Sequence, residues 1–332
     1  MTGIPPYLNF NLGTGTLDEA IRWIDYCNGL DPTHEVTQRQ QNGRSAPWNV
    51  RHWGVGNEQW GFWEAGHMGA HAYAAKLHNW TQFLKKLDPD SHFLGVGSEG
   101  ANDADWDLQV LRKAGHLIDY LTLHVYGHSI AGDVDDYYPA VTLPIYVEER
   151  ISRMEAVIAT AMSEIGRDDP VRISIDEWNI RHLVRDPQTG ETSLHRLSPR
   201  TLQDAIAAAG VFHTMMRHVP GVGMANYVFL LNGNGVLLVE PDGIVKTPLY
   251  HLFQMYRRQA AGDVLDARVA SDEFTTSVRM DKPDQYASRD VAYVDVVATV
   301  DRERQQLSVS IVNRHLNEEA TVRVVPQGFA CG

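Results

Sequence analysis

Along the first three-quarters of the chain, the spacing of apolar positions switches repeatedly between two periods. Short apolar runs of strand length lie at 7–12, 52–57, 93–97, 120–126, 171–176 and 224–231. Between them lie stretches whose apolar residues recur every three or four positions, the helical spacing: 17–28, 69–87, 106–114, 148–165, 198–218 and 248–259. The first helix opens on a capping box, Thr16-Leu17-Asp18-Glu19, carries Leu17, Ile21, Ile24 and Cys27 near one face, and stops at Asn28-Gly29. The second shows a stripe of Tyr73, Leu77, Trp80, Leu84 and Leu87 and ends before Pro89. Alternation of this kind predicts parallel strands joined by crossover helices.

From about residue 260 the texture changes. Residues 291–300 are rich in β-branched side chains, 306–312 and 320–325 alternate polar and apolar, and no helical stretch separates them. Period-two patterning broken by turns predicts an antiparallel sheet or sandwich. The fold expected is therefore α/β: a (β/α)8 TIM-type barrel over 1–259, then a C-terminal all-β portion, a partial antiparallel β-sandwich, over 260–332. About six strand–helix units are legible where a closed barrel needs eight. Two units are hidden in apparent loops, or the first quarter of a barrel lies outside the sequence; the start of the chain almost directly on a strand favours the second.

Composition narrows the function. With 332 residues, 43% of them hydrophobic, the chain can bury a large core. Its 29 basic and 42 acidic residues give a net charge of −13, which argues against nucleic-acid partners. A neutral ligand such as a sugar suits that balance better. The cysteines, Cys27 and Cys331, are too few and too far apart for a disulfide framework or a zinc ribbon. No apolar run is long enough to span a bilayer, and no secretion signal follows Met1. These features favour a cytoplasmic protein without a membrane partner, and leave homo-oligomerisation open.

Two strand ends carry the chemistry. In Trp53-Gly54-Val55-Gly56-Asn57-Glu58-Gln59-Trp60 a strand ends in a carboxylate, and strict alternation places Glu58 on the face of Gly54 and Gly56, with space beneath it. In Ile173-Ser174-Ile175-Asp176-Glu177-Trp178-Asn179 the same rule places Glu177 above Ile173 and Ile175. Either acid alone could cap a helix or join a salt bridge. Together, at the C-terminal ends of barrel strands where active sites are built, they match what glycoside hydrolysis requires: one protonated acid and one carboxylate. At a third strand end, His124 and Tyr126 project to one face and can hydrogen-bond the nucleophile or a sugar; they could equally be ordinary polar residues finishing a strand. Trp178 first, then Trp63, are candidate sugar platforms, although aromatics more often fill helix–sheet interfaces. A metal site among His124, His128, Asp133, Asp135 and Asp136 is disfavoured, since loop acids are usually solvated. Residues 133–138 read instead as a mobile loop, and 181–200 as a lid or a surface excursion. No Gly-x-Ser-x-Gly elbow supports a serine nucleophile.

These motifs resemble glycoside hydrolase family 51, mainly α-L-arabinofuranosidases. Gly56-Asn57-Glu58 is similar to the family's acid/base motif, and Asp176-Glu177-Trp178-Asn179 to its nucleophile motif. The segments 9–16 with 23–28, 123–126 and 246–250 resemble its third strand and helix, its sixth strand and the approach to its last helix. The resemblance implies a retaining, exo-acting enzyme on arabinan or arabinoxylan, with no metal or organic cofactor. It implies Glu58 as acid/base, Glu177 as nucleophile, Asn57 on a sugar hydroxyl, and His124 and Tyr126 positioning Glu177. Phe229 stands where the family often has a sugar-binding Gln. The family's first two strands and the rest of its sandwich have no counterpart here, so a partial sequence is expected. A different retaining glycosidase of the same clan (an endoglucanase or β-xylosidase), or an inactive glycan-binding fragment, are the competing readings.

Overall fold

The computed structural model describes residues 4–98, 104–130, 132–279 and 286–328; Cys331 lies outside them. By chain order the elements are β1 (Tyr7–Phe10), α1 (Leu17–Asn28), α2 (His34–Gln41), β2 (His52–Val55), α3 (Ala70–Leu87), β3 (His92–Gly95), α4 (Ala104–Ala114) and β4 (Tyr120–Ile130). There follow α5 (Tyr137–Val141), α6 (Leu143–Ile165), β5 (Arg172–Arg185), β6 (Thr192–Leu194), α7 (Leu202–Arg217), β7 (Val222–Tyr227), β8 (Leu237–Glu240), β9 (Gly243–Lys246) and α8 (Pro248–Gln259). The last five are β10 (Asp263–Leu265), β11 (Glu273–Arg279), β12 (Tyr286–Ala292), β13 (Val294–Asp301) and β14 (Gln306–Asn313).

Contacts divide the chain into two compact units. The first holds residues 1–126, 149–179 and 218–228; the second holds 127–148, 180–217 and 229–332. One sheet runs β1-β2-β3-β4-β5, with β7 also on β5, and its ladders β1–β2, β2–β3, β3–β4 and β5–β7 are parallel. A helix follows each of β1 to β4, as the alternating periods predict, while β6 and the β8–β9 pair intervene before α7 and α8.

In the first unit the outer face of the sheet is closed by large apolar side chains. Trp53 is fully buried, stacks on Phe10 at 5.0 Å between ring centres, and meets Trp23 of α1 edge-on. The capping box forms as expected: Glu19 N–H donates to Thr16 Oγ1 at 3.2 Å, and Thr16 N–H to Glu19 Oε2 at 2.7 Å. Helix α2 escapes the periodicity argument because Val36 is its only buried apolar residue. Its other inward residue is Arg39, 1% exposed, whose guanidinium donates to the carbonyls of Tyr26 and Gly29, each at 2.9 Å. A buried cation answered by carbonyl oxygens leaves no hydrophobic trace in the sequence.

In the second unit, β10-β13-β14 form an antiparallel sheet and β11–β12 a separate antiparallel pair. The β-branched run near 291–300 is two strands rather than one. It breaks at Tyr293, whose N–H donates to Asp272 O, and Val294 N–H turns to Ser271 Oγ, so the chain changes partners there. Residues 320–325, expected as a strand, are exposed and take no strand conformation: alternation without a facing partner has nothing to pair with. Residues 228–231 likewise leave β7. Segment 133–138, read as a loop, is a turn of 3-10 helix at Val134–Asp136 leading into α5. The excursion 181–200 is mostly a hairpin, in which β5 runs on to Arg185 and pairs with β6. No helix among the described residues is long and apolar enough to cross a membrane.

Candidate active site

Strand β2 ends at Val55, one turn short of the first acid. Gly56 has φ 97° and Glu58 φ 48°, so the Glu58 carboxylate is aimed by a left-handed turn and not by the pleat. That conformation is uncommon outside glycine and costs on the order of 1–3 kcal/mol, which the surroundings must offset. The glycines do not leave empty space beneath Glu58, contrary to the alternation argument. A Cβ on Gly54 would lie 2.3 Å from Asn9 Oδ1 and 2.7 Å from the Tyr7 hydroxyl, and one on Gly56 would lie 2.2 Å from Gln59 Oε1. Their role is to admit neighbouring side chains.

The second acid also departs from alternation. Strand β5 pairs with β7 at Ile175↔Ala225 and next at Trp178↔Tyr227, with an irregularity between them. A bulge of this kind re-aims side chains, and here both Asp176 and Glu177 reach a single imidazole. His124, 5% exposed on β4, has Nδ1 2.7 Å from Glu58 Oε1 and 3.6 Å from Glu177 Oε2, and Nε2 3.3 Å from Asp176 Oδ1. Around them, the Tyr126 hydroxyl donates to Glu177 Oε2 at 2.5 Å, Trp63 Nε1 donates to Glu58 Oε2 at 2.7 Å, and the Tyr7 hydroxyl donates to Asp176 Oδ2 at 2.9 Å.

The charges are strongly coupled. Burial alone would strip the proton from His124, but the adjacent Asp176, the hydrogen-bonded Glu58 and the nearby Glu177 push its pKa up to about 10. The Tyr7 phenol is raised well above its usual value by burial and then by Asp176, so it stays a donor. Glu58, His124 and Glu177 each bring one donor atom within 4.8 Å of the others. A cation could use such a set only if the ring offered a lone pair. With Glu58 2.7 Å from Nδ1 and Asp176 3.3 Å from Nε2, the protonated ring offers none, so the donor set favours an ion-pair cluster over a metal site. The loop acids are engaged elsewhere: Asp133 accepts from Asp135 N–H and Asp136 from Ile130 N–H.

Glu58, just past the end of β2, and Glu177, partway along β5 and not at its end, bring carboxylate oxygens within 4.8 Å of each other, close enough for the retaining arrangement, in which the carboxyl groups lie about 5–5.5 Å apart. Comparisons with known proteins agree. Residues 11–139 match the α-L-arabinofuranosidase 1 domain and 176–330 the α-L-arabinofuranosidase C-terminal domain. The chain is 34% identical to a probable α-L-arabinofuranosidase C from Aspergillus niger, over 97% of the chain and 63% of that protein. It superimposes on the family 51 α-L-arabinofuranosidase of Thermotoga petrophila with a TM-score of 0.81 and 32% identity, covering 94% of the chain and 61% of the other. The chain belongs to glycoside hydrolase family 51. It is also 27% identical to an intracellular exo-α-(1→5)-L-arabinofuranosidase from Streptomyces lividans, over 98% of the chain and 48% of that protein. The chain thus spans less than two thirds of these relatives.

Of the residues expected from the sequence, Glu58, Glu177, His124, Tyr126 and Trp63 come together in this family 51 chain, and Asn57 sits half-buried beside Glu58. Trp178, expected first as a sugar platform, is only 2% exposed and packs edge-on against Tyr227 at 4.9 Å, which leaves it no open face. Trp63 is 55% exposed and is the better-placed ring. Phe229 is 45% exposed, with the Arg196 guanidinium 5.9 Å from its ring centre. Sequence reasoning gave no role to Tyr7 or Asp176. The only signal for them was their register: Tyr7 lies two residues from Asn9 on β1, and Asp176 lies directly before Glu177.

Proposed function

We propose that the protein containing this chain is a retaining, exo-acting α-L-arabinofuranosidase that removes terminal α-L-arabinofuranosyl residues from arabinan or arabinoxylan. The observation that carries this reading is the Glu58–His124–Glu177 cluster, with carboxylate oxygens within 4.8 Å of each other. Glu177, held by the Tyr126 hydroxyl, attacks the anomeric carbon. Glu58 protonates the departing oxygen, then takes a proton from the water that releases the sugar, so the anomeric configuration is kept. Asn57 is assigned to a hydroxyl of the bound sugar, and Trp63 to stacking beside it.

On this proposal the six strand–helix units belong to an eight-unit barrel, 1–259 forms the catalytic barrel and 260–332 part of a β-sandwich. The likeness to the intracellular Streptomyces enzyme supports a cytoplasmic setting. Hydrolysis of a panel of aryl glycosides, followed by NMR of the anomeric proton released first, tests the reading. Cleavage of α-L-arabinofuranosides with retention supports it; cleavage only of β-glucosides or β-xylosides, or inversion, overturns it.

A further inference from the structure

Behind the two glutamates lies a chain of side chains that the double-displacement scheme does not use: Tyr7, Asp176 and His124. We propose that Asp176 is a positioning residue for the acid/base: braced by the Tyr7 hydroxyl, it fixes the His124 ring so that Nδ1–H is presented to the Glu58 carboxylate. The proposal rests on the reading of Glu58 as acid/base given above.

Three observations carry it. First, Asp176 has one oxygen on each neighbour, Oδ2 accepting from Tyr7 at 2.9 Å and Oδ1 lying 3.3 Å from His124 Nε2, so from β5 it links a side chain of β1 to one of β4. Second, the ring it holds is 5% exposed and has its opposite nitrogen 2.7 Å from Glu58 Oε1, so the ring cannot turn without breaking one contact or the other. Third, the backbone is shaped for this arrangement. The irregularity after Ile175 brings Asp176 and Glu177 to the same ring, and the missing Cβ of Gly54 leaves room for the Tyr7 hydroxyl, which would otherwise meet it at 2.7 Å. A carboxylate whose only task was to balance charge would need neither device.

The proton held on His124 up to about pH 10 agrees with this geometry. The groups that bear on it are Glu58 after β2, Asp176 and Glu177 on β5, and Tyr126 on its own strand. Tyr7 on β1 reaches it through Asp176, and the Asp176 charge also acts on Tyr73 of α3. Glu58 in turn accepts from both His124 and Trp63. The orientation and protonation of the ring therefore govern how readily Glu58 carries the proton it must donate.

The test uses the chain as it stands, with Asp176→Asn and Tyr7→Phe, checked for folding by circular dichroism. Long-range nitrogen–proton NMR of the imidazole rings, with His124 assigned from His124→Gln, reads protonation without need of activity. In the wild type both His124 nitrogens stay protonated through pH 8. In Asp176→Asn the ring gives up its proton at a midpoint at least about one pH unit lower, a tenfold change in the proton equilibrium. Tyr7→Phe gives a smaller shift of the same sign, and stands in if Asp176→Asn does not fold. A His124 titration unmoved in every variant that folds overturns the proposal.

Where arabinofuranosidase activity is present, Asp176→Asn lowers kcat more for substrates with poor leaving groups, which need acid assistance, than for activated aryl substrates. Equal loss on both would assign Asp176 to the nucleophile instead and overturn the proposal. Absence of activity on every arabinofuranoside counts against the function proposed above and leaves the NMR result to decide the role of Asp176.

Discussion

Each unit buries histidines against carboxylates, and the two units balance the charge differently. In the first, three carboxylates, Glu58, Asp176 and Glu177, crowd a single imidazolium. In the second, each acid is matched by cations. Asp204 Oδ1 lies 2.7 Å from His182 and 3.1 Å from Arg200, and Asp295 meets His213, Arg217 and Arg314 at 2.9–3.1 Å. Burial would raise both aspartates, yet these partners hold them below the usual carboxylate range. A matched network gives its charges little cause to change state. A crowded one keeps its proton on a single imidazole among three carboxylates, the kind of arrangement acid–base chemistry uses.

The same contrast separates two look-alike triads. Ser198, His182 and Asp204 are linked in a line, with Ser198 Oγ 2.5 Å from His182 Nδ1 and Nε2 2.7 Å from Asp204. Yet the serine hydroxyl donates to the His195 carbonyl at 3.1 Å, and Arg200 also sits on Asp204. The serine proton is committed to a carbonyl, so the ring is not acting as its base. This line fastens the β5–β6 excursion to the start of α7, and agrees with the absence of a serine-nucleophile motif in the sequence.

Removing one acid from each network should give opposite outcomes. The largest effect is expected for Glu177→Gln. Activity on an arabinofuranoside falls by a factor on the order of 10^4 or more, the scale of losing a nucleophile. The thermal midpoint stays level or rises, because one of three crowded negative charges is gone. A fall in both activity and Tm would place Glu177 with the structural acids and break the comparison.

Next in size is Asp295→Ala. It strands His213, which is fully buried, and Arg314, whose side chain is 8% exposed, without their shared carboxylate. Breaking a buried pair from one side costs about 3–5 kcal/mol. Urea unfolding should show that loss, with kcat/KM of the remaining folded protein unchanged. A loss below about 1 kcal/mol would mean that the network is relaxed and solvated, as surface ion pairs are.

How much of this was legible beforehand depends on what kind of signal each feature leaves. The strand–helix alternation was readable because helices such as α3 bury one stripe, Tyr73, Leu77, Trp80 and Leu84. Helix α2 was not, since its inward residue is a charged Arg39 answered by carbonyls. Glu58 and Glu177 were readable as strand-end acids, but the reason each points into the site was not. Alternation assumes a regular pleat, and both acids depend on its failure: a left-handed φ at Glu58 and a bulge before Glu177. The roles of Tyr7 and Asp176 need the register of β1 against β2 and of β5 against β7, which is set by tertiary packing. Trp178 misleads for a related reason, because an aromatic beside a catalytic motif reads the same whether it faces a sugar or, as here, Tyr227.

The smallest predicted effect is the most discriminating, since the two networks respond to pH with opposite signs. Asp204 and Asp295 have folded pKa values below their unfolded ones, so their contribution is complete above about pH 5 and is lost as pH falls through the carboxylate range. His124 is raised from about 6.5 to about 10, so the native state holds the extra proton between those values. Its contribution is complete below about pH 6.5 and declines as pH rises toward 10, with a slope of up to about 1.4 kcal/mol per pH unit. His52 and His116, lowered by burial, act in the opposite sense near pH 6.5, and the buried Cys27 thiol, pushed up to about 11, acts only at higher pH. Comparing wild type with His124→Gln from pH 7 to 8.5 cancels those terms. In the variant the alkaline decline should vanish. A decline of equal slope in both proteins would place the excess proton somewhere other than His124, and with it the distinction between a crowded network and a matched one.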